Sequence, residues 1–386
     1  MLISFDMKIM EDIDNKTSEI EHEDQGNTQI DVPFDPNEIK IRRDPFTLGE
    51  LIDKIEYNEI IFGTSFQRKS NLWDSVKQSR LIESILLRLP LPAFYFDETI
   101  ENENDFHKRK VIWQVIDGLQ RCSVIKNFVV NKELQLKNLE FLVQFNDKKY
   151  GDLPRDLVRR INQTPLTVYV IEKGTPEDVK FNIFKRINTG GLVLTPQEIR
   201  HAMNQGIPAQ FVAELAKLDS FIEATCDTIE KERMSDRDFT TRFLSFYLQD
   251  YKNYTPDLDE FMNRGMRKVK DISERERDII KENFNKAMKL AYSIFEKDAF
   301  RKRLNKNDIR KPINKALFEV LSVLFAKMTD SERSALSDKA ELFKSKFIEL
   351  NNDKFFFNSI SSGTGQKESV QRRFTEMSRI INETIS

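Results

Sequence analysis

The stretch Val115-Ile116-Asp117-Gly118-Leu119-Gln120-Arg121 decides how this 386-residue chain is read. An apolar run beginning at Val111 ends in Asp-Gly and turns at once into a helix through Val124, Ile125 and Phe128, so a strand feeds directly into a helix. Such a turn places a carboxylate, a close-approach glycine, a Gln and an Arg around a helix N-terminus. That setting suits phosphate, because backbone N–H groups and the helix dipole favour an anion and Arg binds phosphate in a bidentate way. Asp117 is then placed to hold Mg2+ or a ribose hydroxyl. Spacing alone also fits an ordinary strand-to-helix turn with an N-cap Asp and a solvent-facing Arg.

Working outward, Ala93–Asp97 reads as the preceding strand, behind a helix through Leu81, Ile82, Ile85 and Leu86 that Pro90 and Pro92 stop. Order begins at Thr47, which with Glu50 has capping-box spacing. Downstream, Leu139–Phe145 and Leu166–Ile171 read as strands on either side of a helix starting near Pro154. Thr175-Pro176 opens a helix that ends in Lys185-Arg186-Ile187-Asn188-Thr189-Gly190-Gly191, and Thr195-Pro196-Gln197-Glu198 opens the next. After about residue 215 the strand signals cease and amphipathic helices follow, among them one from Ser235, one from Ser273 and a strongly apolar one from Ile313 to Met328.

The expected architecture is α+β: an α/β domain over residues 39–215 and an all-helical domain over 216–386. Residues 1–38 hold eleven acids against Lys8 and Lys16, a net of −9 within a total of −2, and read as a mobile acidic arm able to compete for anion sites. Composition excludes several classes. No apolar run is long enough to cross a bilayer and no secretory leader is recognisable, so a cytoplasmic protein with no membrane partner is expected. Two cysteines, Cys122 and Cys226, make no disulfide framework, and three scattered histidines make no zinc cluster. Thirty Phe against two Trp point to a core built on Phe and aliphatic packing.

Two further segments carry charge in a suggestive pattern. Lys185 and Arg186, leading into Asn188 and Thr189, can meet a phosphate chain, although cations followed by Gly190 also make an ordinary helix C-cap. Arg301, Lys302, Arg303, Lys306, Arg310 and Lys311 against Asp308 give +5 in eleven residues, which makes them the DNA-binding candidates, with a solvated helix end as the simpler alternative.

Several of these segments fall in the order of one family's motifs. Phe66-Gln67-Arg68 near Trp73, the Leu81–Pro92 run, Asp117 to Arg121, and Phe184 to Arg200 with Asn188, Leu194, Thr195, Glu198 and Arg200 in place resemble the GmrS-type N-terminal module of bacterial restriction and anti-phage proteins. The resemblance covers about residues 45–205 and implies a ParB/sulfiredoxin-like fold for the first domain. It also implies binding of a nucleoside triphosphate, base unspecified, and in several members Mg2+-dependent hydrolysis. On these positions Asp117, Gln120 and Arg121 form the catalytic group, with Asp117 on the metal, and Gln67, Arg68, Gly118, Lys185, Arg186, Asn188 and Thr189 complete the nucleotide site. Leu119 stands where the family carries its first Gln, which puts turnover in question. Related proteins add an HNH nuclease, which needs a histidine, and none follows His201. A nuclease or restriction subunit is therefore expected as a separate partner, and a homo-oligomer is compatible with the sequence. The alternative is a non-enzymatic DNA-binding or scaffold protein that keeps the ParB-like fold.

Overall fold

The computed structural model describes residues 19–26, 36–62, 73–101, 110–187 and 194–386. Backbone contacts divide the chain into two compact units, one over residues 34–193 and one made of residues 1–33 with 194–386. The division falls earlier than residue 215, because the segment after Leu194 packs with the helices that follow it.

The first unit is built on a five-stranded mixed sheet in the order β1-β5-β3-β4-β2, with β1 at Ile41–Thr47, β2 at Ile60–Ile61, β3 at Phe94–Glu101, β4 at Lys110–Asp117 and β5 at Pro165–Ile171. β1 pairs antiparallel with β5, β5 runs parallel to β3, β3 antiparallel to β4, and β4 parallel to β2. One face of the sheet is apolar. Phe94 and Phe96 of β3, Trp113 of β4 and Leu166, Val168 and Val170 of β5 alternate into a core shared with helices α1 (Leu48–Glu56), α2 (Ser75–Leu86), α3 (Leu119–Ile125) and α4 (Arg155–Asn162). Each such side chain contributes about 1.5–3 kcal/mol on burial. The opposite face receives α5 (Glu177–Ile187), whose Lys180 reaches Asp97 of β3.

Two local readings change. β1 lies before Thr47, where order was expected to begin, and its pairing with β5 supplies the hydrogen bonds that its polar sequence Ile-Arg-Arg-Asp-Pro-Phe-Thr gives no sign of. Residues 139–145, expected as a strand, form an irregular loop with a short 3-10 turn at Val143–Phe145. The reason is Glu83 of α2: its buried carboxylate accepts the backbone N–H groups of Glu140, Phe141 and Leu142 at 3.1, 2.7 and 2.8 Å, which takes the donors a ladder would need.

The second unit is helical throughout its described residues apart from isolated bridges. It comprises α6 (Pro196–Met203), α7 (Ile207–Leu215), α8 (Asp219–Ala224), α9 (Ser235–Leu248), α10 (Leu258–Lys268), α11 (Glu274–Phe295), α12 (Lys315–Lys327), α13 (Asp330–Asp338), α14 (Ala340–Asn352), α15 (Lys354–Ser359) and α16 (Lys367–Ile385). α12 is apolar on nearly all sides and buried accordingly, with phenylalanines 239, 243, 284 and 318 among the rings around and on it.

Residues 19–26 belong to this unit rather than to a mobile arm. Ile20 bridges Ile313 in parallel, with Glu21 N–H to Ile313 O at 2.9 Å and Ile313 N–H to Glu19 O at 2.8 Å, and Thr364 N–H donates to Asp24 O at 3.0 Å. The Glu23 carboxylate accepts both terminal nitrogens of buried Arg242, at 2.9 and 2.6 Å, and the Thr364 hydroxyl at 2.8 Å. Arg242 also meets Glu319, which pairs with Arg373, so the acidic segment closes a buried charge network.

Candidate functional site

Asp117 is the last residue of β4, and the chain turns through Gly118 at φ 98° and ψ 11° into α3. Only glycine fits there: an added Cβ would stand 2.6 Å from Cδ1 of Phe94, and the positive φ is itself unfavourable for other residues. Arg121, one turn into the helix, folds back over this corner. Its Nη2 lies 2.9 Å from Asp117 Oδ2 and donates to Ala93 O at 3.0 Å, Nη1 donates to Pro92 O, and the guanidinium carbon stands 4.3 Å from the Phe94 ring centroid. The Arg121 side chain is only 10% exposed, so it is a staple holding the loop before β3 to the start of α3, unlike the solvent-facing Arg of the simpler alternative. Three of its five N–H groups are taken by the two carbonyls and Asp117, which gives it a structural role at this corner. Asp117 remains accessible at 29% of its side chain. Burial raises its pKa above the ordinary carboxylate value, against the pull of Arg121 and the Gly118 N–H.

The neighbouring groups were not singled out by sequence reasoning. In the sheet ladder Asp117 stands opposite Tyr95, Tyr95 opposite Tyr169, and Tyr169 opposite Arg43. The two tyrosine rings stack at 5.0 Å with planes 15° apart. Two residues along β3, Asp97 pairs with Lys180 at 2.8 Å, and Lys180 also meets Glu177 at 3.1 Å. Burial pushes the Asp97 carboxyl up to about 6 despite Lys180. A polar residue inside the apolar run Phe94-Tyr95-Phe96-Asp97 was the available signal for this pair.

The remaining predicted residues divide. Gln120 is half-buried in the first turn of α3, and Leu119 is half-buried at the start of α3, outside both apolar cores, so it sits at the corner rather than in the packing. Lys185 and Arg186 are exposed at the end of α5. Gln67, Arg68, Asn188 and Thr189 lie outside the described residues. Cys122 is fully buried and its thiol is pushed up to about 12 by that burial, which leaves it inert. Among the described residues no group of three or more His, Cys, Asp or Glu stands together to hold a metal ion. Asp117 is a single carboxylate paired with Arg121, so a Mg2+ ion held there would take its remaining ligands from water or a bound substrate.

The basic segment 301–311 is largely consumed within its own unit. Arg301 is 1% exposed and donates to the carbonyls of Lys297 and Lys311, so it cannot face DNA. Lys302 pairs with Glu21 at 2.6 Å, Arg303 with Asp298, and Arg310 lies 3.9 Å from Glu19. Lys306 is exposed and Lys311 half-buried, which leaves a much weaker field than the count of six cations suggests.

The tail of the last motif is architectural as well. Thr195 and Glu198 form a reciprocal capping box at the start of α6, and Glu198 also accepts Arg233 at 2.8 Å. Arg200 is buried and pairs with Asp238 at 2.9 Å and Asp259 at 2.8 Å, which ties α6 to α9 and α10.

Residues 48–204 match the N-terminal domain of the GmrSD restriction endonuclease family. The matched stretch takes in the whole Asp117 corner and extends past the sheet unit through α6, so it includes both the candidate site and the Arg200 anchor. No curated protein and no solved structure is significantly similar to the chain. Among the described residues no helix is long and apolar enough to cross a membrane.

Proposed function

We propose that this chain is the nucleotide-binding component of a bacterial restriction or anti-phage system, with its GmrSD N-terminal domain as a ParB/sulfiredoxin-like nucleotide module and a separate subunit supplying nuclease activity. The observation that carries this reading is Asp117, a part-exposed carboxylate with a raised pKa, fixed by Arg121 at a glycine corner inside the matched domain. Perturbed ionisable groups held rigidly at a strand end are characteristic of binding and catalytic sites. The nucleoside triphosphate is the cofactor, and any Mg2+ enters on the nucleotide's phosphates, since the protein offers no cluster of its own among the described residues. Leu119, which has no hydrogen-bonding group, makes binding the primary activity and hydrolysis secondary.

The DNA-binding alternative is weakened at segment 301–311, whose first arginine, Arg301, is buried and whose Lys302 and Arg303 are paired with Glu21 and Asp298. Calorimetric titration with ATP, GTP and CTP, with and without Mg2+, tests the proposal. Binding of at least one nucleotide that Asp117→Ala weakens is the expected result; a wild-type chain indistinguishable from Asp117→Ala with all three refutes it.

A further inference from the structure

In the same unit as the Asp117 corner lies an open groove of about 540 Å3 between the β1/β5 edge and the loop joining α2 to β3. Its volume is that of a small-molecule site. Phe46, Leu91 and Pro165 give it apolar walls, and two arginines, Arg43 of β1 and Arg88 of the loop, give it positive charge. Both arginines are exposed, and neither has a side-chain partner among the described residues. Asp44, the one acid on the lining, is already held by Arg42 at 3.0 Å.

Arg88 is placed at a cost. It occupies the position after the last turn of α2 where Leu89 N–H bonds back to Ser84 O at 2.9 Å and Arg88 N–H to Ile85 O at 3.0 Å, and its φ is 61°. That closure needs a left-handed residue, usually glycine, and a long side chain there is unfavourable. The wall it stands on is fixed from the other side, because Arg121 bonds the carbonyls of Pro92 and Ala93.

The groove and the corner are joined by one row of the sheet. Arg43, Tyr169, Tyr95 and Asp117 are successive ladder partners on four adjacent strands, and the two tyrosines between the charged ends are stacked. Three strand spacings of ~4.8 Å set the ends about 14 Å apart, the length of an extended nucleotide. A carboxylate at one end and two unpaired guanidiniums at the other give the row a polarity. We propose that a nucleoside triphosphate lies along this row with its phosphates on Arg43 and Arg88, its nucleoside over Tyr169 and Tyr95, and a sugar or base donor on Asp117. This deepens the nucleotide reading and rests on it, but it assigns the phosphate end to residues outside the Asp-Gly-Leu-Gln-Arg segment, whose own arginine is spent on carbonyls.

The test uses the full chain and three probes: the tightest binder among ATP, GTP and CTP, the corresponding nucleoside, and inorganic tripolyphosphate. Arg43→Ala and Arg88→Gly are each expected to weaken the triphosphate by at least about tenfold and the nucleoside by less than about twofold, and to abolish tripolyphosphate binding. Arg88→Gly keeps a melting temperature at or above wild type, because glycine relieves the left-handed backbone, which separates lost binding from lost folding. If both variants bind the triphosphate as wild type does while Asp117→Ala does not, the phosphate assignment is overturned and the nucleotide reading survives. If wild type binds none of the three nucleotides, the nucleotide reading fails. Tripolyphosphate then decides the groove: binding that the two arginine variants lose preserves an anion site there, and no binding overturns that too.

Discussion

Replacing Glu23 by Gln should unfold the helical unit far more readily than any other single change in the acidic N-terminal segment. The Glu23 carboxylate sits 2.6 and 2.9 Å from the terminal nitrogens of Arg242, which is 1% exposed. Around it, Arg200, Arg242, Lys315 and Arg373 are balanced by Glu23, Asp238, Asp259 and Glu319, all within one connected set of ion pairs and Coulombic contacts. Glu23→Gln keeps the shape and leaves one uncompensated buried positive charge. Removing one partner of a buried pair typically costs about 3–5 kcal/mol, which for a unit of this size lowers the melting temperature by on the order of 10 °C. Burial alone would raise the Glu23 pKa, but Arg242 and Lys315 outweigh it and the carboxyl titrates below its ordinary value of 4.5. A carboxyl whose folded pKa is depressed stabilises the fold above its unfolded pKa and loses that contribution as pH falls through the folded value. Urea denaturation at pH 7 followed by circular dichroism is the assay. A change below about 1 kcal/mol, or an acid limb unaltered by the substitution, would refute the claim that the segment is part of the fold. The same experiment bears on the idea that the acidic arm competes for anion sites. Glu19 and Glu21 do lie against Arg301, Arg310 and Lys302, but removing the segment also removes Glu23, so a truncated chain is expected to be destabilised rather than activated.

Three further outcomes are expected. Arg200→Ala should destabilise the helical unit by about 3–5 kcal/mol in urea while changing nucleotide affinity by less than about twofold; the reverse pattern would make this motif residue part of the binding site. His201 is buried against Arg237, and burial followed by that charge depresses its pKa to about 4, so the fold holds it neutral and stability falls as pH drops from 6.5 towards 4, by about 3 kcal/mol at the acid end. His201→Gln should flatten that limb of a pH-dependent denaturation series, and an unchanged slope would assign it elsewhere. Leu119→Gln should raise phosphate release about tenfold or more with little change in nucleotide affinity, and unaltered turnover would remove that position from any account of hydrolysis.

What the sequence made legible is local. Thr195 with Glu198, Thr47 with Glu50 and Ser273 with Glu276 are spaced for reciprocal capping, and each forms a capping box, because both hydrogen bonds are completed within one turn. The strand-turn-helix at Asp117 is equally local. β1 was missed because Arg42, Arg43, Asp44 and Pro45 show no apolar alternation, and its pairing partner β5 lies more than a hundred residues on. Residues 139–145 were misread because their strand-like pattern says nothing about Glu83, which claims their amides from another helix. The acidic composition of residues 19–26 hid a docked segment for a similar reason: its complement, Arg242, Lys302 and Arg301, is more than two hundred residues away.

The site shows the same limit in a sharper form. Arg121 and Arg200 look alike in sequence, each a basic residue closing a motif, and for Arg121 the setting invites a phosphate. In the fold each is buried, one on the carbonyls of Pro92 and Ala93 and the other on Asp238 and Asp259. A buried guanidinium with satisfied donors binds its own protein, and releasing it for a ligand would uncover the carbonyls or carboxylates it now pairs. Arg43 lies in no motif and Arg88 falls at the one variable position of the Leu81–Pro92 run, yet they are the exposed arginines without partners among the described residues on the groove in the same unit as Asp117. On the proposed nucleotide site, motif arginines hold the scaffold still and nearby arginines outside the Asp117–Arg121 segment meet the phosphates, a division of labour in which the fold is fixed by one set and the chemistry of binding can vary through the other.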